Sequence, residues 1–207
     1  EHIDVNLDNP LLKDVRVRRA LLMAIDRKAI SEKLFEGKQP VANGDISPLD
    51  PMHDAQARHY AYDPAAARKL LDEAGFIEIK NGVRHNAKGE RFSIELTTTA
   101  GNRIREQVAQ VIQSQLRQVG IELRIKADPP RIFSESLNRR TFTALAMYAW
   151  VQRPQGIPRS TLHSNSIPSA ENNYAGQNSP GFRNAEMDSL IETIELGSVA
   201  EFSPAIG

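Results

Sequence analysis

Apolar residues recur at intervals of three and four in several stretches of the sequence, and most of these stretches follow a residue that can cap a helix. The clearest helix follows Asp63, has Pro64 at its first helical position and stops at Gly75. The same pattern predicts three further helices, and the residues that begin them are Asp14, Asp26 and Asn102.

The helix that begins at Asn102 runs to about residue 119 and is followed by Gly120. Its apolar positions form one stripe along a helical face, which is typical of a helix packed on a core. We expect this buried stripe to consist of Ile104, Val108, Val111, Ile112, Leu116 and Val119. A last helix is predicted in "NAEMDSLIETIE", and its inward residues should be Met187, Leu190, Ile191 and Ile194.

Alternation of apolar and polar residues predicts strands over 91–98, 121–127 and 142–149, and Asn81-Gly82 predicts a hairpin before them. A helix separates each strand from the next, which makes two successive β-α-β crossovers. The fold class is therefore α/β, with a mixed, largely parallel sheet flanked by helices. Ligands of such sheets bind beyond the carboxyl ends of the strands, so we expect a site at that edge.

The segment 38–62 contains Pro40, Pro48 and Pro51 and few periodic apolar positions. It should be a long irregular segment, and segments of this length in compact domains are usually functional or linking. We expect the part around 46–50 to face the site at the sheet edge.

Composition removes several classes of function. The chain has 26 basic and 26 acidic residues, so no net field favours nucleic acid or an anionic membrane. It has no cysteine, and its five histidines show no metal-ligand spacing. No phosphate-binding, dinucleotide-binding or nucleophile-elbow motif is present. We expect no cofactor, no metal and no nucleic-acid partner.

The polar segment after the third strand carries the most informative chemistry. Trp150, the chain's one tryptophan, offers an apolar surface, arginines offer bidentate partners for carboxylates, and amides offer paired donors and acceptors. The candidate ligand-binding residues are Trp150, Gln152, Arg153, Arg159, Asn172, Asn173 and Tyr174. On residue types alone, Trp150 is equally consistent with a plug at the rim of the core and with the wall of a site.

Two alternatives stay open at this point. A small hydrolase would use acid, base and nucleophile from among Asp50, His53, His163, Ser160 and Ser164. An interaction module would instead present the 150–178 segment to a protein partner, without a pocket for a small ligand.

Four stretches occur in the order found in one family: "NPLLKDVRVRRALLMAIDRKAI", "YDPAAARKLLDEAGF", "GNRIREQVAQVIQSQLRQVGIEL" and "NNYAGQNSPGFRNAEMDSLIETIE". The chain resembles the bacterial extracellular solute-binding proteins of family 5, the peptide-binding receptors of ABC importers. The resemblance implies one lobe of a two-lobed periplasmic binding protein of type II, with residues 1–207 forming the C-terminal ligand-binding lobe of a longer receptor. The last residues, 197–207, do not continue the family pattern, and we expect either a disordered tail or residues foreign to the protein.

The same resemblance implies the function. It implies a binding protein without catalytic activity that takes peptides or a related small solute into a cleft between two lobes and delivers it to the permease subunits of the importer. The other lobe of the same chain would be a partner, and the location would be periplasmic or extracellular, free or lipid-anchored.

The resemblance also bears on Trp150 and Arg153. In peptide-binding relatives the equivalent strand ends in a cleft tryptophan, and an aspartate three residues later holds the ligand's ammonium group. Arg153 stands at that position here, and an arginine repels an ammonium and suits a carboxylate. The resemblance therefore implies that the ligand is bound in reverse, is blocked at its amino end or is not a simple peptide, unless Arg153 pairs with an acid of the other lobe.

Overall fold

The computed structural model describes residues 1–151 and 156–197. The strands in this part of the chain are β1 (His2–Val5), β2 (Glu78–Lys80), β3 (Val83–His85), β4 (Ser93–Thr99), β5 (Glu122–Asp128) and β6 (Leu145–Tyr148). The helices are α1 (Val15–Ala24), α2 (Arg27–Phe35), α3 (Pro64–Glu73), α4 (Arg103–Gln118), α5 (Pro130–Asn138), the single turn α6 (Arg159–Leu162) and α7 (Ala185–Leu196).

Four of the strands form the central sheet, in the order β1-β6-β4-β5. β4 is parallel to both β5 and β6, so β4-α4-β5 and β5-α5-β6 are the two predicted crossovers. β1, which the sequence pattern does not predict, lies antiparallel to β6 at one edge. This pairing places the first residues of β1 beside the carboxyl end of β6, because His2 lies opposite Tyr148.

The two faces of the sheet carry separate apolar clusters. On one face Leu96, Leu123 and Leu145 join the main core, which α1, α3 and α4 complete. On the other face Ala146 and Tyr148 pack with α5 in a smaller cluster. Successive residues of β6 therefore serve opposite faces, as the alternation of side chains along a strand requires.

The predicted helix starts are confirmed by their caps. Asp14, Asp26, Asp63 and Asn102 each accept a hydrogen bond from a backbone N–H in the first turn of the helix that follows. These bonds satisfy donors that have no partner within the helix. The order and the starts of α1 to α4 thus follow directly from short polar signals in the sequence.

Several predicted details are wrong. The third strand is shorter than 142–149, since β6 covers only Leu145–Tyr148. Ile104 does not belong to the buried stripe of α4: it is 37% exposed, because it lines an open groove and is not packed in the core. Leu190 does not point inward on α7 and is 53% exposed, because within the described chain this helix is buried through Ile191 on another side.

The predicted irregular segment is present: residues 36–63 contain neither helix nor strand. Its position is set by α2, because the Arg27 guanidinium donates hydrogen bonds to the carbonyl oxygens of Ala42 (2.7 Å) and Tyr60 (2.9 Å). Ser31 adds a hydrogen bond to the carbonyl oxygen of Gln39. None of the helices in the described ranges combines the length and apolarity needed to cross a membrane.

Candidate functional site: a groove along β1 and β6

A groove of about 820 Å³ lies at the β1 edge of the sheet. The start of α4, the 39–49 part of the irregular segment and the residues after β6 surround it, together with α1 and α2. Apolar side chains predominate in its lining, among them Leu21, Ile25, Val108, Ile112 and Met147. Its size and apolar lining are those of a small-molecule site.

Trp150 lines this groove just beyond the carboxyl end of β6. Its side chain is 45% exposed, and its ring lies edge-on to that of Tyr148, with ring centroids 5.6 Å apart. The contact with buried Tyr148 holds one side of the indole and leaves the remainder open to the groove. Trp150 is therefore not a core plug in this structure.

Tyr148 connects Trp150 to an acidic residue on the neighbouring strand. Its hydroxyl donates a 2.5 Å hydrogen bond to Oδ2 of Asp4, which also lines the groove. The ring of Tyr148 is held by edge-on contacts with His2 and Phe133. The phenol is thus fixed from both strands and from α5.

The electrostatics of this pair follow from burial. Removal from water raises the pKa of Asp4 to about 6, against the opposing effect of the Tyr148 hydrogen bond, and the negative charge of Asp45 raises it further. Burial also raises the pKa of the Tyr148 phenol well above its usual value, as does the charge of Asp4. Tyr148 is therefore a neutral hydrogen-bond donor at neutral pH, and Asp4 is ionised in most molecules.

Two of the candidate residues, Gln152 and Arg153, lie outside the described residues. Arg159 is in α6 and forms an ion pair with Glu195 of α7, with 2.6 Å between Nε and Oε2. It joins two helices and does not line the groove.

The other three candidates lie in the loop before α7 and also stay outside the groove lining. Asn172 holds that loop together, accepting from the N–H of Ser169 and donating to the carbonyl oxygen of Ile167. Asn173 and Tyr174 have left-handed backbone conformations, and the Tyr174 ring lies 4.9 Å from the guanidinium carbon of Arg139. Of the seven candidates, Trp150 is the one that the described structure brings to the groove.

Two residues of the hydrolase alternative, His163 and Ser160, are hydrogen-bonded to other groups and not to each other. His163 is buried, its Nδ1 accepts from the N–H of Asn165 and its Nε2 lies 3.3 Å from Oε1 of Glu192. The Ser160 hydroxyl donates instead to Gln177. In the part of the chain that the structure describes, no serine hydroxyl is hydrogen-bonded to a histidine, and no three His, Asp or Glu residues converge as a metal site.

Sequence reasoning does not place Asp4 and Tyr148 in the site. The alternation of apolar and polar residues assigns Tyr148 to a strand. It does not reveal β1, because four residues show too little alternation to be detected. Three of the groove-lining residues of the irregular segment, Ser47, Pro48 and Leu49, fall in the 46–50 part that the sequence predicts to face the site.

A largely parallel sheet with an aromatic-walled groove beyond its strand ends is the architecture of a ligand-binding lobe in periplasmic binding proteins of type II. Residues 1–168 match the family "Bacterial extracellular solute-binding proteins, family 5 Middle". The chain belongs to this family.

Individual relatives agree with this assignment. The chain is 31% identical to the oligopeptide-binding protein AppA of Bacillus subtilis over 195 residues, which is 92% of this chain and 35% of that protein. The structure is similar to an oligopeptide-binding protein of Thermus thermophilus complexed with a pentapeptide (TM-score 0.88, 32% identity, 100% of this chain and 38% of that one). It is also similar to the Bacillus subtilis AppA complexed with a nonapeptide (TM-score 0.87, 29% identity, 99% and 40%). The chain thus spans between one third and two fifths of the length of these relatives.

Proposed function

We propose that this chain is the C-terminal ligand-binding lobe of a longer receptor that serves a bacterial ABC importer. The receptor binds peptides or a related small solute between two lobes and delivers it to the permease. The observation that carries the proposal is Trp150, half-exposed in the wall of a groove beyond β6 in a chain of the solute-binding family. The names of the relatives, which bind oligopeptides, support the class of ligand.

The mechanism follows from an open groove. One lobe supplies an apolar surface with a few polar groups and leaves the other side of the ligand in water. A second lobe that closes over the ligand completes the enclosure, so the ligand shifts the population towards the closed form that the permease recognises. Trp150 packs on the ligand, and Gln152 and Arg153, which follow it in the chain, are the proposed polar anchors.

The remaining parts of the proposal concern location and chemistry. The family is extracellular, so the receptor functions outside the cytoplasmic membrane, in the periplasm or tethered to the membrane by a lipid. It binds its solute without transforming it. The receptor needs no cofactor and acts together with its own first lobe and the permease subunits.

The test uses the parent receptor purified under native conditions and then denatured, with the released small molecules identified by mass spectrometry. Co-purified peptides would support the proposal and show whether their amino ends are free. An extract without ligand, together with no thermal shift from a peptide library, would contradict it and favour an interaction module without a pocket.

A further inference from the structure

One carboxylate in the wall of the groove, that of Asp4, has a phenol and an imidazole as its side-chain partners in the described part of the chain. Oδ2 of Asp4 accepts the hydrogen bond from Tyr148, whereas the group near Oδ1 is the His2 imidazole, with Nε2 at 3.6 Å. Burial lowers the pKa of His2 to about 4, so this imidazole is neutral at pH 7. The Asp4 side chain is only 15% exposed, so water solvates little of its charge.

The arginines that line the groove within the described residues are engaged elsewhere. Arg18 donates to the carbonyl oxygens of residues 12 and 13, and Arg27 holds the irregular segment. Arg105 forms a two-bond ion pair with Glu1, at 3.0 and 2.6 Å. Across the described ranges, no arginine or lysine forms an ion pair with Asp4.

The groups that face Asp4 come from three elements. β6 contributes the neutral Tyr148 phenol, β1 contributes the neutral His2, and the irregular segment contributes Asp45, whose negative charge acts on Asp4. The positive charges of the Glu1 amine and of Arg105 act on His2, but among the described residues neither group forms an ion pair with Asp4. A poorly solvated carboxylate in this position gains more from a cation than the same group does at the surface.

We propose that Asp4 binds a positively charged group of the ligand, a protonated amine or a guanidinium, at the end of the groove next to Trp150. Tyr148 is the positioning residue: it occupies Oδ2, fixes the carboxylate plane and leaves Oδ1 to the ligand. The half-exposed indole of Trp150 adds an aromatic surface that favours a cation. This inference rests on the proposed function, because it assumes that the groove receives the solute.

The proposal also bears on the ligand's amino end. At position 153 the chain has an arginine where the family resemblance implies an acid for the ammonium group. Asp4 supplies a carboxylate to the same groove from a different strand. A ligand with a free amine or a basic side chain is therefore compatible with this chain.

The experiment compares the parent receptor with its Asp4→Asn variant. Both are incubated with a random pentapeptide library, half of it N-acetylated, and retained peptides are quantified by mass spectrometry. For Asp4→Asn we expect at least a tenfold loss of peptides that carry a free amine, a lysine or an arginine. Retention of N-acetylated peptides without basic residues should be unchanged.

Two further variants make the outcome specific. Asp54→Asn removes a surface carboxylate outside the groove lining and should change nothing. Tyr148→Phe keeps the carboxylate but frees Oδ2, and it should weaken retention of cationic peptides less than Asp4→Asn does. Equal retention by Asp4→Asn and the unmodified receptor, or an equal loss of cationic and neutral peptides, would overturn the assignment. An unmodified receptor that retains no peptide would overturn the proposed function itself, and this inference with it.

Discussion

The side chain of Arg84 occupies the space beside Gly120, where a side chain at position 120 would have to lie. A Cβ added to Gly120 would come within 2.7 Å of Cγ of Arg84, and the backbone there has φ of +86°. Arg84 is itself fixed, since Nε donates to the carbonyl oxygen of Val119 (2.8 Å) and Nη1 to that of Phe76 (2.5 Å). The contact fastens the β2–β3 hairpin to the turn between α4 and β5.

Replacing Gly120 by alanine should therefore destabilise the protein in two ways. The positive φ costs an alanine about 1 kcal/mol, and the collision with Arg84 adds about 1 to 3 kcal/mol. Gly89 is the matched control, because its φ is +78° but nothing lies within 4 Å of an added Cβ. Urea unfolding followed by circular dichroism should show a clearly larger loss for Gly120→Ala than for Gly89→Ala. Equal losses would show that the Arg84 side chain moves aside without lowering the free energy of unfolding.

Arg84 and its acidic partner should respond very differently to mutation. Arg84 is 3% exposed and Asp72 is 52% exposed, with 2.5 Å between Nη1 and Oδ1. Arg84→Ala leaves two buried carbonyl oxygens without donors and opens a cavity, so we expect a loss of about 3 kcal/mol. Asp72→Asn removes the charge of the exposed partner of this ion pair. It should lower the free energy of unfolding by less than about 1 kcal/mol. The same urea titration measures both losses of stability. A larger loss for Asp72→Asn than for Arg84→Ala would contradict this prediction.

Asp4 should lower stability at neutral pH. Its pKa is about 6 in the folded protein against 3.8 ordinarily, so between these values the folded state binds more protons than the unfolded state. The contribution of this group to stability is thus fully present below pH 3.8 and is lost as the pH rises through 6. Asp4→Asn should raise the free energy of unfolding by about 1 to 3 kcal/mol at pH 7.

The pH series supplies the control for that prediction. Near pH 4 the gain from Asp4→Asn should have largely disappeared, because the aspartic acid is then protonated in the folded protein. Unfolding curves of both proteins at pH 4, 5, 6 and 7 check this. A gain that is constant across the series would show that the effect does not come from ionisation.

Trp150 should matter for binding and little for folding. Because its indole is half-exposed and lines the groove, Trp150→Ala in the parent receptor should weaken peptide binding at least tenfold, while the melting temperature changes little. Ile132→Ala is the control, since Ile132 is 49% exposed on α5 and outside the groove lining. Calorimetric titration with a co-purified peptide measures the affinities, and a thermal melt of each variant measures stability. Equal affinities for the two variants would place the ligand elsewhere.

The sequence predicts the elements whose signals are local. Asp63, Pro64 and Gly75 define α3 to within a residue because capping, ring geometry and positive φ act over a few positions. The prediction for Ile104 is wrong because periodicity identifies an apolar face without saying what lies opposite it, and this residue lines the groove. An apolar stripe on α4 therefore serves both the core and the site.

The site is only partly predictable for a related reason. Trp150 is recognisable from its residue type and its place at the end of a strand. Asp4 is not, because its role arises from pairing with a strand more than a hundred residues later, and no local pattern encodes that pairing. The burial that shifts its pKa is likewise a property of the folded chain.

The hydrogen bond between Asp4 and Tyr148 joins residues that are 144 positions apart. Contacts of such separation require closure of a long loop, and we expect them to form after the local helices. We therefore expect the groove to be assembled after these helices, and a molecule that lacks this contact to bind ligand poorly. Retention of ligand would then also report that the chain has folded completely.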